Sequence, residues 1–379
     1  MRVIETVDYR RGRVRIIDQT ALPSAERYLD LGGPGEVAEA IRAMRIRGAP
    51  AIGIAAAYGV LLAIERVAGA AAYLFDHAEP GRPCSLPEGA DAGGLSRAAL
   101  EAADMLGQTR PTAVNLFWAL DRMRRAVTGA GEDAAALCAA ASEEAFAIHD
   151  EELDTERKIG EHGAALLGDG ARVLTHCNAG GLATAGYGTA LAVIYTAREQ
   201  GKEVRVWADE TRPLLQGARL TAWELLRAGV PVTLLCDGAA ASLIASGGID
   251  AVVTGADRVA ANGDSANKIG TLGLAIACAR YEVPFYIVVP WSSVDLDTPK
   301  GDLIRIEERD PSEVTEIQGI IIAPEGIDVY NPAFDVTPAG LITAIVTETG
   351  VIRSPDSGSL AEAARIAGIS PSRKPPRNP

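Results

Sequence analysis

The spacing of apolar residues changes character twice along this chain. Alternation runs through Val3–Asp8 and again through Val14–Asp18, on either side of Arg10-Arg11-Gly12-Arg13. That pattern predicts a small β-element closed by a turn. From Glu36 the period becomes helical, with Val37, Ile41 and Met44 on one stripe. The turn Arg47-Gly48-Ala49-Pro50 interrupts it, and helices are predicted over 51–67, 97–106, 111–127 and 132–167. Residues 76–96, rich in Pro, Gly and charge, are predicted to form an exposed loop or insertion.

After Gly170 short apolar runs alternate with helical patterns. Strands are predicted at Arg172–His176, Glu203–Ala208, Pro231–Cys236, Ala251–Gly255 and Pro284–Val289, with helices such as Thr221–Ala228 and Leu272–Ala279 between them. This alternation calls for a parallel, doubly wound sheet covered on both faces. The fold class is therefore α/β, with a β-element and helical domain over 1–150 and a doubly wound sheet domain over 151–370. The Pro-rich, basic tail 371–379 is expected to be disordered.

Composition narrows the function. The 379 residues, 48% hydrophobic, are enough for two cores, and 40 glycines with 5% aromatics suit tightly packed α/β layers. A net charge of -14 argues against nucleic acid as a partner, yet leaves room for a small phosphorylated ligand held by a few Arg and Lys. The N-terminus has no apolar signal region, and runs such as 49–63 are too short or Gly-broken to span a bilayer, so no membrane association is expected. Five scattered cysteines suggest reduced thiols in a cytosol. His77, His149, His162 and His176 stand apart in sequence without ligand spacing, so no metal site is predicted.

In a doubly wound sheet, ligands bind beyond the carboxyl ends of the strands. Those ends carry His176-Cys177-Asn178, Asp209-Glu210-Thr211-Arg212, Cys236-Asp237-Gly238 and Gly255-Ala256-Asp257-Arg258. Cys177 precedes a Gly-rich turn, where the N-terminus of the next helix would stabilise a thiolate. The plain alternative is a small buried hydrophobe, the reading kept for Cys138, Cys236 and Cys278. Asp257, at the rim of an apolar strand and sheltered from water, would hold its proton and act as an acid. Its alternative is an ordinary turn or capping Asp, and Asp237 is a weaker competitor.

Pro fits the first turn of a helix, so an Arg just before such a Pro places a guanidinium beside free backbone amides. This occurs at Arg47-Gly48-Ala49-Pro50, Arg110-Pro111 and Arg212-Pro213, with Asn267-Lys268-Ile269-Gly270-Thr271 at a further helix start. Together they make an anion site. A dinucleotide site is the weaker reading. Gly180, Gly181, Gly186 and Gly188 lack the GxGxxG spacing, although Asp209 stands where a ribose-binding acid would be.

These motifs together resemble the methylthioribose-1-phosphate isomerase family. The matching segments are Asp18-Gln19-Thr20, Arg47–Gly53, Thr109–Leu116, Leu174–Thr184, Ala208–Gln216 and Gly255–Thr271, with Val289-Pro290 and Ile306-Glu307-Glu308-Arg309. The most specific is the run Gly-Ala-Asp-Arg-Val-Ala-Ala-Asn-Gly-Asp-Ser-Ala-Asn-Lys-Ile-Gly-Thr. The family shares its fold with regulatory subunits of the translation initiation guanine-exchange factor and with ribose 1,5-bisphosphate isomerase. The resemblance implies a Rossmann-like second domain, a homodimer, no cofactor, and an aldose–ketose isomerase of methionine salvage. Such an enzyme turns 5-methylthioribose 1-phosphate into 5-methylthioribulose 1-phosphate. By motif match, Cys177 and Asp257 would be catalytic, and Arg47, Gly48, Ala49, Arg110, Gln216, Asn267 and Lys268 would bind substrate. The loop at 76–96, the longer tail, Trp291 and Ser293 (where Thr is expected) depart from the pattern. Substrates with hydrogen or phosphate at C5, and a non-catalytic regulatory subunit on the same fold, stay open.

Overall fold

Val7, Tyr9, Val14 and Ile16 alternate inward along the first strands, and their burial draws the opening segment into an antiparallel sheet. In the computed structural model, which describes residues 4–69, 73–79, 86–110 and 113–369, this sheet has the order β1 (Val7–Arg10), β2 (Arg13–Ile17), β3 (Tyr28–Leu31). The third strand is not apparent in the sequence, where Tyr28-Leu29-Asp30-Leu31 is too short to show a period. Five helices follow: α1 (Pro34–Arg42), α2 (Ala49–Ala68), α3 (Ala92–Gly107), α4 (Val114–Gly129) and α5 (Ala134–Ala164).

Helix α2 is buried on every side from Ala51 to Ile64, which makes it the axis of this unit. It is long and apolar enough to cross a membrane, but 83% of its apolar window lies inside the fold. Its small residues set the helix spacing. A methyl group at Gly53 would lie 2.9 Å from the Asn115 carbonyl oxygen of α4. The predicted loop over 76–96 is shorter than expected at its far end, since α3 begins at Ala92, capped by the Asp91 side chain on the Gly93 amide. Its residues 80–85 lie outside the described set, as does the tail 371–379.

The chain divides into two units, one of residues 4–155 with 181–188, the other of 156–180 with 189–369. The return of 181–188 to the helical unit is invisible in sequence. It depends on long-range contacts: Thr6 Oγ1 donates to the Gly181 carbonyl at 2.6 Å, and Gln19 Nε2 to that of Leu182 at 2.6 Å.

The helical unit also unites histidines that sequence separates. The His77 and His149 rings lie 4.7 Å apart. His77 Nδ1 is 2.9 Å from Asp8 Oδ1, while Tyr58 Oη is 2.6 Å from His149 Nδ1. Burial, and then the neighbouring His77 charge, push the His149 pKa from 6.5 down to about 4. An unfolded histidine binds its proton near 6.5, so the stability given by neutral His149 is complete above that pH. It is lost as pH falls towards 4, eventually by about 3 kcal/mol. His149→Gln should remove this part of the acid sensitivity. Denaturant titrations at pH 7.5 and 4.5 would show a smaller stability difference for the variant, and equal differences would contradict the assignment.

The second unit holds β4 (Ala171–Thr175), α6 (Ala190–Glu199), β5 (Val204–Asp209), α7 (Ala222–Arg227), β6 (Val232–Leu235), α8 (Ala240–Ala245) and β7 (Ala251–Thr254). Then come β8 (Arg258–Ala260), β9 (Ser265–Lys268), α9 (Thr271–Tyr281), β10 (Phe285–Val288) and β11 (Val294–Asp295). The chain ends with α10 (Ser312–Thr315), the hairpin β12 (Glu316–Ile317) and β13 (Ile320–Ile321), then β14 (Phe334–Thr337), β15 (Ala344–Thr347), β16 (Gly350–Arg353) and α11 (Ser357–Ile366).

Seven strands form the main sheet in the order β16-β15-β10-β7-β4-β5-β6, all parallel except the edge strand β16. Strands β7, β10 and β15 are buried along their whole length, as expected where helices cover both faces. From β4 the chain winds outward through β5 and β6, then returns to build β7, β10 and β15 on the other side. The order therefore reverses between β4 and β7. A smaller sheet, β11-β8-β9-β14, lies outside the sequence reading because its strands are short and partly polar.

Candidate active site

The strand-order reversal opens a crevice at the carboxyl ends of β4 and β7, the usual ligand position in an open parallel sheet. Val173 pairs with Ala251 and Leu174 with Val252. Continued upward, this register sets Cys177 beside Gly255, two residues before Asp257. The two loops touch: a methyl group at Gly255 would lie 2.8 Å from Cβ of Ala179. Glycine is needed there because a side chain would push the loops apart.

Cys177 adopts the left-handed φ of +63° and is half-buried, with no disulfide. Such a conformation costs roughly 1 kcal/mol or more for a non-glycine residue and persists only where the surroundings hold it. Here its amide donates to Thr211 Oγ1 at 2.9 Å, and its carbonyl accepts from Thr221 Oγ1 at 2.7 Å. Asn178 Nδ2 donates to the buried Glu224 at 2.7 Å. The helix expected directly after Cys177 is not there: a short turn spans Gly181–Ala183 and α6 starts only at Ala190. No helix terminus follows the thiol immediately.

His176 is the residue before the thiol. It is buried, with Nδ1 2.9 Å from Asp209 Oδ2 and Nε2 2.9 Å from the Ile269 carbonyl. Burial opposes its charge, but the hydrogen bond and charge of Asp209, with the charge of Asp237, outweigh it and raise the pKa. Asp209 is thus spent on a histidine, which accounts for it without a ribose. Asp237, the weaker candidate acid, accepts the Thr211 and Arg212 amides at 2.7 Å each. His176, Asp209 and Asp237 come within reach of one cation. Both ring nitrogens and both Asp237 oxygens already serve these hydrogen bonds.

Asp257 departs from expectation. It is exposed rather than sheltered, on the bend between β7 and β8, with its amide donating to the Ala266 carbonyl at 2.9 Å. The desolvation that the sequence argument called on is not supplied by the protein around it, because the apolar strand ends three residues earlier, at Thr254.

The anion-binding helix starts fare unevenly. At Arg47 the geometry holds, since α2 begins at Ala49 with Pro50 in its first turn. Gly48 sits at φ +97°, and a methyl group there would lie 2.2 Å from the Ala183 carbonyl oxygen within the same unit. Arg110 is half-buried, but α4 begins only at Val114, and Pro111 lies outside the described residues. The Arg212–Pro213 bond is cis, no helix starts at it, and the guanidinium donates to the Pro213 and Val314 carbonyls at 2.9 and 2.8 Å. At the start of α9 two amides are taken: Asp335 accepts from Gly270 at 2.8 Å and Leu272 at 3.0 Å. The capping carboxylate occupies those two amides, so a substrate anion near this helix start would be met by the Lys268 side chain rather than by them. Lys268 remains as a cation, 4.6 Å from the Phe334 ring centre, and Asn267 is buried with Nδ2 donating to Thr271 Oγ1 at 2.9 Å. Gln216 is buried with its side-chain oxygen unpartnered among the described residues, an acceptor left for a ligand.

Comparison with known proteins identifies the family and the fold. Residues 45–354 match the model of the initiation factor 2 subunit family. Methylthioribose-1-phosphate isomerase of Syntrophotalea carbinolica is 53% identical over 352 residues, covering 92% of this chain and 96% of the relative. The 5-deoxyribose 1-phosphate isomerase of Moorella thermoacetica is 50% identical over 365 residues, 95% of this chain and 97% of its own. Among solved structures, 5-methylthioribose 1-phosphate isomerase from Pyrococcus horikoshii superposes with a TM-score of 0.87 at 39% identity over 97% of each chain. With the β4/β7 crevice, the parallel sheet and full-length relatives in agreement, the chain belongs to the initiation factor 2 subunit family, among its sugar-phosphate isomerase relatives.

Proposed function

We propose that this protein is an aldose–ketose isomerase that converts 5-methylthioribose 1-phosphate into 5-methylthioribulose 1-phosphate in methionine salvage. The observation that carries the reading is the meeting of the Cys177 and Asp257 loops where the strand order reverses. The names of the relatives support the substrate class.

A phosphate on C1 locks the anomeric carbon, so the ring cannot open as in a free sugar. Asp257 donates a proton to the ring oxygen as the bond from C1 to that oxygen breaks, and the phosphate stays in place. Because Asp257 is exposed on its own chain, the dry surroundings for this step come from bound substrate covering it. Hydrogen then passes from C2 to C1 while the C2 hydroxyl gives up its proton to become the carbonyl; Cys177 assists this transfer, and that proton restores the Asp257 acid. Gln216, Asn267 and Lys268 hold the substrate, and Arg47, Gly48, Ala49 and Arg110 of the helical unit contribute, chiefly at the phosphate. The reading needs no cofactor and carries with it a homodimer in the cytosol.

The test is turnover on methylthioribose 1-phosphate beside 5-deoxyribose 1-phosphate and ribose 1,5-bisphosphate. Preference for the methylthio sugar is expected, and no turnover on any of the three would leave the regulatory-subunit reading instead. The deoxy sugar is the second reading, favoured by the Moorella relative. Run with deuterium at C2, the same assay separates two routes. Retained label marks a hydride shift, and label lost to solvent marks proton transfer through an enol phosphate.

A further inference from the structure

We propose that His176, doubly protonated and clamped between Asp209 and the Ile269 carbonyl, is the positioning residue for Cys177 and the source of fixed positive charge beside its thiol. The inference rests on the assignment of Cys177 to the chemistry.

Hydrogen-bond polarity carries the argument. The Ile269 carbonyl can only accept, so Nε2 must bear a hydrogen. Nδ1 faces a carboxylate oxygen; burial raises the Asp209 pKa, but the His176 bond and charge oppose that rise, and an imidazolium satisfies both acceptors at once. The charged groups that face the ring are all carboxylates: Asp209 from the end of β5, Asp237 after β6, and Asp335 from β14. Glu210 adds to the negative field at Asp209. Asp335 approaches through its cap on α9, where Gly270 leaves room for the ring. A methyl group there would lie 2.9 Å from His176 Cε1.

The clamp has a mechanical consequence. His176 ends β4, Asp209 ends β5, and Ile269 directly follows Asn267 and Lys268 at the end of β9. One buried ring thus holds the backbone that carries the thiol at a set distance from the segment proposed to hold the substrate. It also replaces the helix terminus that does not follow Cys177, because a cation beside a thiol favours the thiolate.

The test uses the full-length protein without substrate. In protein labelled with 15N at histidine, the His176 ring nitrogens should report an imidazolium at pH 7.5, and a neutral tautomer there would overturn the proposal with no mutation required. In Asp209→Asn, whose amide can still bond the ring but brings no charge, the pH midpoint for iodoacetamide modification of Cys177 should rise by about one unit. The kcat at pH 7 should fall about tenfold with little change in KM, and recover towards pH 9 as the thiolate returns. An unmoved alkylation midpoint, with a pH–rate profile parallel to the parent, would sink the idea. Full turnover by Cys177→Ser would instead remove the role of the thiol and leave the state of His176 untouched, so the two failures are distinguishable.

Discussion

Asp257→Asn is expected to lower kcat on methylthioribose 1-phosphate by about 10²- to 10⁴-fold, the usual worth of a positioned general acid. The amide keeps the size of the side chain but cannot give a proton to the ring oxygen. Asp257 is exposed and its amide bond to Ala266 belongs to the backbone, so a denaturant titration of the variant separates any loss of stability from the loss of turnover. Cys177→Ser should lose turnover on a similar scale. Its backbone bonds to Thr211 and Thr221 survive the exchange of sulfur for oxygen, but the hydroxyl is a far weaker acid. Both variants should still bind the sugar phosphate, as measured by calorimetry with methylthioribulose 1-phosphate. Lys268→Ala, by contrast, should weaken that binding because it removes a cation from the phosphate. Near-normal turnover by either catalytic variant would cancel its role, and unchanged affinity in Lys268→Ala would remove it from the phosphate site.

The second large effect is structural. Gly48→Ala should destabilise the protein by about 3 kcal/mol or more, because two costs coincide. The residue has φ +97°, where a side chain is strained, and the added methyl group would meet the Ala183 carbonyl at 2.2 Å. Backbone stands on both sides of that clash, so no side chain can rotate away. Gly69→Ala is the matching control. It is also left-handed, at φ +60°, but none of the described residues lies within 4 Å of the added group, so about 1 kcal/mol is expected. Denaturant titration of the two variants reads the difference. Equal losses would mean that the contact between Gly48 and the 181–188 segment does not matter.

Gly48 lies between Arg47 and Ala49, and Ala183 lies six residues after Cys177 in the chain. Within the second unit, Thr211, Thr221 and Glu224 hold residues 177 and 178; within the helical unit, Thr6, Gln19 and the space left by Gly48 hold residues 181–183.

Much of this molecule is written locally. The apolar runs of β4, β7 and β10 predict buried parallel strands, because a strand covered on both faces can afford no polar alternation. Helix α2 follows from an unbroken apolar segment behind a Pro, and β1 with β2 from a turn between alternating runs. The strand-end positions of Cys177 and Asp257 follow from the same patterns. The family resemblance, resting on linear motifs, also needs nothing beyond the chain.

What only the tertiary structure decides is which distant groups meet. His176 and Asp209 are 33 residues apart and become partners because β4 and β5 are neighbours. Asp335 caps the start of α9 from a strand 63 residues away, placing a carboxylate on two amides of that turn. His77 and His149 form one buried group across 72 residues that hold no common pattern. Local spacing reports the period of a helix or strand, since that period is set by neighbours in the chain. Charge, exposure and hydrogen-bond partners depend on the order of strands in the sheet, and no local period encodes that order. For that reason the strand-end positions of Cys177 and Asp257 are legible in sequence, while the exposure of Asp257 and the pairing of His176 with Asp209 are not.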